Sequence, residues 1–186
     1  MPEETKRMVY ADDDRISVGR LANMRLAPLL IGLVLGVLLS FVTSRFEEVL
    51  AANVHIAFFI PFIVYMADAV GTQTQSIYVR DLKTGQANFI VYLFKESVLG
   101  LILGLICSAL VAVISLFWFK STELTIAVAL SMFGAIASAP IIALVIAEIL
   151  KIEHSDPAVG GGPIATVIQD TISVLIYGLI ASAIIL

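Results

Sequence analysis

Asp156-Pro157-Ala158-Val159-Gly160-Gly161-Gly162-Pro163-Ile164-Ala165-Thr166-Val167-Ile168-Gln169-Asp170 leads directly into sixteen uncharged residues, Thr171–Leu186. Pro163 suits the first turn of a helix, where its missing N–H is not needed. Asp170 then lies seven residues on, about 10 Å into that helix at 1.5 Å per residue. A carboxylate at the centre of an apolar membrane helix costs roughly 2.5–3.5 kcal/mol on insertion scales. Thr166, Asp170, Ser173 and Tyr177 recur at i, i+4, i+7 and i+11, which is one helical face. That face must meet protein or a water-filled path. The final thirty residues hold no Lys or Arg, and no span interior carries a base, so Asp170 has no obvious ion-pair partner. The expectation is that it meets a metal cation.

Working outward, the rest of the chain is also a membrane sequence. Of its 186 residues 60% are hydrophobic, and the mean hydropathy is +1.02. Soluble domains are nearer half apolar. Leu26–Ser44, Val49–Ala67, Ser97–Phe119 and Leu124–Ala147 are free of charge, and Pro157–Leu186 is broken only by Asp170. About 20 apolar residues cross a bilayer as a helix. Five spans follow, over approximately 26–45, 49–79, 94–119, 124–150 and 163–186, behind a polar tail over 1–25. The fold class is an all-α membrane protein with five transmembrane helices per subunit.

Orientation follows from the basic residues. With five spans, Lys6, Arg7, Arg15, Arg20, Arg25, Arg80, Lys83, Lys95 and Lys151 fall on one side; Arg45 and Lys120 fall on the other. The positive-inside rule puts the N-terminus in the cytoplasm and the C-terminus outside. The cell membrane is the expected location. The first 25 residues carry no apolar core of a signal peptide. A single cysteine, Cys107, excludes an intrachain disulfide and argues against a thiolate metal site.

Several spans carry packing signals. Gly32, Gly36, Ser40 and Ser44 are spaced by four in the first, as are Gly100 and Gly104 in the third; such spacing lets helices approach closely. Pro140 should kink the fourth span. Trp118, between Phe117 and Phe119, marks the outer interface. Glu148 near the cytoplasmic end of the fourth span reads as a partner of Lys151 or a group snorkelling to water. His55 reads as an interfacial residue, and His154 as a loop residue in solvent. The Asp12-Asp13-Asp14 run reads as part of a solvated tail.

The second span has a polar face: Pro61, Tyr65, Asp68, Thr72 and Ser76. Pro61 can interrupt its hydrogen-bond ladder, and Gly71-Thr72-Gln73 invites local unwinding. Asp68 either lines a pore or caps or pairs within a broken helix.

Two stretches resemble one family. Val70-Gly71-Thr72-Gln73, followed by Val79-Arg80-Asp81-Leu82-Lys83-Thr84-Gly85, is similar to the second-span signature of the MgtE magnesium channels. Asp156-Pro157-Ala158, Pro163, Thr166 and Asp170 are similar to that family's approach to its last helix. Leu26–Glu47, ending in Ser44-Arg45-Phe46-Glu47, resembles its first span. The likeness runs over about residues 25–186. Ala69 stands where the family commonly has asparagine, and Asp68 adds an acid one place earlier. Twenty-five residues ahead of the first span do not accommodate the family's regulatory N-terminal and CBS domains, so the expectation is either a differently regulated member or a fragment of a longer chain.

The resemblance implies a homodimer with one pore on its axis, built mainly from the second and fifth helices. It implies that Asp170 is the acid of a magnesium site in that pore, completed by groups around Thr166. Asp156 would hold the cytoplasmic loop or meet the ion. Asp68, Thr72 and Gln73 are the candidates from the second helix. Expected partners are a divalent cation, a second copy of the chain, the bilayer, and a separate regulatory domain or subunit; no nucleic acid is expected.

The chemistry agrees with this. Magnesium takes octahedral oxygen and gives up water reluctantly, so few carboxylates and many retained waters suit its passage. Oxygen ligands without Cys or His favour magnesium, calcium or manganese. An inside-negative potential supplies about 4.6 kcal/mol per 100 mV to a divalent ion, from roughly 2.3 per charge. The alternative is a secondary transporter in which Asp68 and Asp170 exchange protons or sodium for the metal. A membrane scaffold with interhelical polar stripes is a third reading. No serine–histidine, zinc-ligand or nucleotide motif points to an enzyme.

Overall fold

The structure, a computed structural model, describes residues 16–153 and 157–186, the side chains of residues 157–161 excepted. Asp156, His154, and the acids and bases before residue 16 lie outside the described residues. All regular structure among the described residues is helical. Its order is α1 (Val18–Ser44), α2 (Glu47–Ala52), α3 (His55–Lys83), α4 (Phe89–Phe119), α5 (Thr122–Ile152) and α6 (Pro157–Ile185). Five of these, all but α2, are long and apolar enough to cross a membrane. The chain is an integral membrane protein with five candidate spans among its described residues.

The helix ends are set by local chemistry that run length misses. Asn88 caps α4, its side chain accepting from the Val91 N–H at 3.2 Å. This starts α4 at Phe89, five residues before the expected span, and carries Lys95 and Glu96 inside the helix. Ser121 caps α5 in the same way through the Leu124 N–H. The expected second span over 49–79 is two helices. Asn53 takes an extended conformation, φ −145° and ψ 98°, and separates the short α2 from α3. The last helix begins at Pro157, so Pro163 sits inside it and is not its first turn.

The anticipated unwinding at Gly71-Thr72-Gln73 does not occur. Helix α3 is continuous through Pro61 and Gly71 to Lys83. Gly71 serves close approach instead: a Cβ there would lie 3.5 Å from the Ala139 carbonyl oxygen of α5.

Helix α5 is the centre of the bundle, packed against α3, α4 and α6. Its buried residues are small or apolar, among them Ala127, Val128, Met132, Ala135, Ile136, Ala139 and Leu144. The glycine pair of α4 meets α5 as its spacing predicted. A Cβ on Gly100 would come within 3.0 Å of Pro140, and one on Gly104 within 3.1 Å of the Phe133 carbonyl. Helix α1 has no buried residue and touches the bundle through α6. Gly32 is part of that contact, facing Pro163, while Gly36 has open space around it. Phe46, at the corner between α1 and α2, lies directly on Gly178 of α6. The remaining faces of α1 and α4 expose leucine, valine and phenylalanine, as lipid-facing helices do.

Aromatic and polar contacts close the two ends. At one end His55 packs on Phe119, ring centroids 4.6 Å apart, with Phe58 and Phe59 beside them. At the other, Tyr78 of α3 donates to Glu148 of α5 at 2.5 Å, and Lys151 donates to the same carboxylate at 2.9 Å. Glu148 thus pairs with Lys151, as expected, and also ties α3 to α5. Tyr92 donates to Asp81, Arg80 pairs with Asp81 at 3.0 Å, and Thr74 donates to Glu96 at 2.8 Å.

Candidate ion-binding site

The polar faces of α3 and α6 come together midway along the bundle. Asp68, Thr72 and Gln75 of α3 and Thr166 and Gln169 of α6 line one cavity, closed at the back by Ala139, Ile142 and Ala143 of α5. The cause is local. Gly71 lets α3 lie against α5, so residues three positions to either side, Asp68 and Thr74, fall on neighbouring faces. Asp68 then turns toward α6, while Thr74 is buried and turns toward Glu96. The cavity offers about 10 Å³ to water centres, room for about one water molecule.

Asp170 is not among the lining residues; it follows Gln169 and stands one helical turn beyond Thr166 on α6. Its Oδ1 is buried and has no hydrogen-bond partner. No Lys, Arg or His lines the cavity. The charge of the site is therefore negative and uncompensated by a side chain lining it. A cation with its water is the group that such a site attracts. Among the described residues no three His, Cys, Asp or Glu side chains converge, so one chain does not form a dehydrated metal cage.

Asp68, Thr72, Thr166 and Asp170 are thus brought to one region. Gln73 is not among the cavity residues; it is exposed on another face of α3. Asp156 lies outside the described residues. The α6 stripe also divides. Ser173 and Tyr177 are buried and structural: Ser173 accepts from Gln169 Nε2 at 3.2 Å, and Tyr177 donates to the Ile56 carbonyl at 2.9 Å. Tyr65, expected on the polar face of α3, is 66% exposed and away from the cavity.

Two residues of the site, Gln75 and Gln169, escape a reading that follows charge. Their signal is present nonetheless. Gln75 follows Asp68 by seven and Thr72 by three, and Gln169 follows Thr166 by three, both helical spacings.

Toward the basic end a wider groove of about 460 Å³ continues from Thr72 and Gln75 past Ser76 to Arg80 and Lys83, with Gly162 on the facing helix. Toward the other end an apolar groove of about 880 Å³ runs between α1, α2, α3 and α6, with Ser40, Thr43, Pro61 and Val174 on its walls.

Residues 60–180 match the family model MgtE, described as a divalent cation transporter. The chain is 32% identical over 165 residues to the magnesium transporter MgtE of Bacillus subtilis, which covers 87% of this chain and 37% of that protein. It is 30% identical over 164 residues to the protein of the same name from Enterococcus faecalis, covering 87% and 36%. With that from Thermus thermophilus it shares 27% over 173 residues, covering 91% and 38%. The chain therefore spans little more than a third of the length of these relatives. The matched segment takes in all of α4 and α5 and most of α3 and α6, and so every residue that lines the cavity, and the chain belongs to the MgtE family.

Proposed function

We propose that this chain conducts a divalent cation, magnesium first, across the membrane. The path is a homodimeric pore lined by α3 and α6, in which Asp170 of both subunits binds a largely hydrated ion. One observation carries this reading: a buried, unpartnered carboxylate oxygen of Asp170 beside a cavity of hydroxyls, amides and a second acid, with no base among its lining. The relatives named magnesium transporter support the choice of ion.

The size of the cavity supports the dimer. Room for about one water is too little for a hydrated magnesium ion, so a second surface must supply the rest. Polar residues of α3, Thr72 and Ser76 on the groove side and Gln73 on another face, are exposed in one subunit. They would be costly against lipid and are satisfied in a wet pore on a two-fold axis. Thr166 and the cavity amides hold the waters of the ion, and the Asp170 pair holds its charge. Calcium and manganese share the oxygen chemistry and are weaker candidates. The basic ends of α3 and α5 face the cytoplasm, in a cell membrane, with the C-terminus outside. Asp156, just ahead of α6 in the sequence, is the further acid that this reading assigns to the ion. Regulation comes from a separate domain or subunit.

The test is magnesium influx into proteoliposomes, with and without a proton or sodium gradient, for the native chain and Asp170→Asn. Downhill influx that Asp170→Asn abolishes, with the dimer intact, supports the channel. The presence of two acids, Asp68 in the cavity lining and Asp170 one turn beyond Thr166, favours one second reading, a secondary transporter in which a proton or sodium ion replaces the metal. Influx that requires the second gradient would replace the channel with that exchanger. Full conduction by Asp170→Asn removes both.

A further inference from the structure

We propose that Gln169 is a neutral oxygen donor to the hydrated cation, and that α5 locks its amide so that oxygen, not nitrogen, is offered. The proposal rests on the reading of the Asp170 site as the ion path. Gln169 is only 3% exposed, yet it lines the cavity with Asp68, Thr72 and Thr166. Its Nε2 donates to the Ala135 carbonyl of α5 at 3.2 Å and to Ser173 Oγ at 3.2 Å. A backbone carbonyl only accepts. Turning the amide over would set two oxygens against each other, so the orientation is fixed by chemistry. What remains is Oε1, buried and without a partner. Buried acceptors left unpaired are rare, and those that exist commonly await water or an ion. The neighbouring Asp170 Oδ1 is the other such side-chain atom among the described residues.

The two open oxygens do different things. Asp170 supplies charge. Gln169 accepts from a water of the ion and adds no further charge to a site that already holds two acids. Conduction needs binding weak enough for release, and a neutral acceptor orders the water shell without deepening the well. An amide presented nitrogen first would repel the cation, which gives the Ala135 contact its purpose.

Magnesium binding to the purified full chain, measured by isothermal titration with magnesium chloride, separates this role from simple packing. Melting without magnesium is followed in parallel, and Asp170→Asn is the reference. Gln169→Met, similar in length and without the amide, is expected to raise the magnesium Kd by about tenfold, the loss of one good hydrogen bond. Ser173→Ala keeps the oxygen but frees half of the lock, and is expected to raise the Kd about threefold. A helix tether alone would lower the melting temperature of both and leave the Kd unchanged; that result overturns the proposal. If Gln169→Met does not fold, Ser173→Ala decides, and an unchanged Kd again overturns it. Loss of binding in Asp170→Asn with native binding in Gln169→Met would sink the Gln169 role and leave the ion site standing. Native binding in Asp170→Asn would sink the ion site itself.

Discussion

At the residue scale the proposed site has two acids, Asp68 in the cavity lining and Asp170 one turn beyond Thr166. If both serve one ion, their removal should not be additive. Asp68→Asn is expected to lower magnesium affinity while influx persists. Asp68→Asn combined with Asp170→Asn is expected to be no worse than Asp170→Asn alone. The concentration dependence of influx for the three variants checks this; equal and multiplying losses would mean that the two acids act at separate points along the path. Tyr177 illustrates the opposite case. Its place on the α6 stripe called for either protein or a water-filled path, and it meets protein: its hydroxyl donates to the Ile56 carbonyl, whose own helix begins one residue earlier at His55. Tyr177→Phe should therefore cost about 1 kcal/mol of stability, visible as lower melting in detergent, with magnesium affinity unchanged. Charge made Asp68 and Asp170 legible in the sequence. Amides announce themselves far less, and Gln169 gains meaning only when Ala135 is seen opposite it. That contact joins residues 34 apart in the chain, which helical periodicity cannot reach.

At the scale of elements, the spans were legible and their ends were not. Hydropathy reports the part of a helix that must sit in lipid. It does not report the polar turns that continue beyond, as in α4, where Asn88 sets the start. It also passed over the break between α2 and α3, since Asn53 alone does not interrupt an apolar average. Close packing, by contrast, was readable from small residues, and it can be tested by the two kinds of glycine. Gly104→Val would push into the Phe133 backbone, 3.1 Å from the new Cβ, and should destabilise by about 1–3 kcal/mol. Gly36→Ala meets open space and should leave melting unchanged or slightly raised, since alanine is the better helix former. Gly178→Ala conflicts with the Phe46 ring. Its melting should fall and should recover in part when Phe46→Leu is added. No recovery would mean that the corner between α1 and α2 does not rest on α6.

At the scale of the molecule, the polar side of α3 and the apolar groove beside α1 are what one subunit leaves uncovered. In the proposed dimer, a second copy on a two-fold axis would cover both. Small residues had marked α1 for close contact; of the two glycines in its stripe Gly32 meets another helix and Gly36 does not, while Ser40 and Ser44 border the groove. With Cys107→Ser as background, Thr72→Cys is expected to crosslink two subunits on mild oxidation, and Leu110→Cys, on the exposed face of α4, is not. Dimer bands from Leu110→Cys alone would put the axis on the wrong side of the bundle.

The central position of α5 bears on how the protein is made. Helices α3 and α6 carry the intramembrane acids and are the least apolar of the five spans. Helix α6 touches α1, α3 and α5, all of which precede it in the chain. By the time the ribosome delivers Asp170 to the bilayer, a protein wall is already waiting to receive it. Helix α3 has no such advantage, since α5 and α6 follow it. It must tolerate lipid beside Asp68 and Thr72 until they arrive, or be held back at the insertion machinery. Shortening or scrambling α5 should therefore show itself first during synthesis, as an α3 that slips out of the membrane, before any loss of ion flow can be measured.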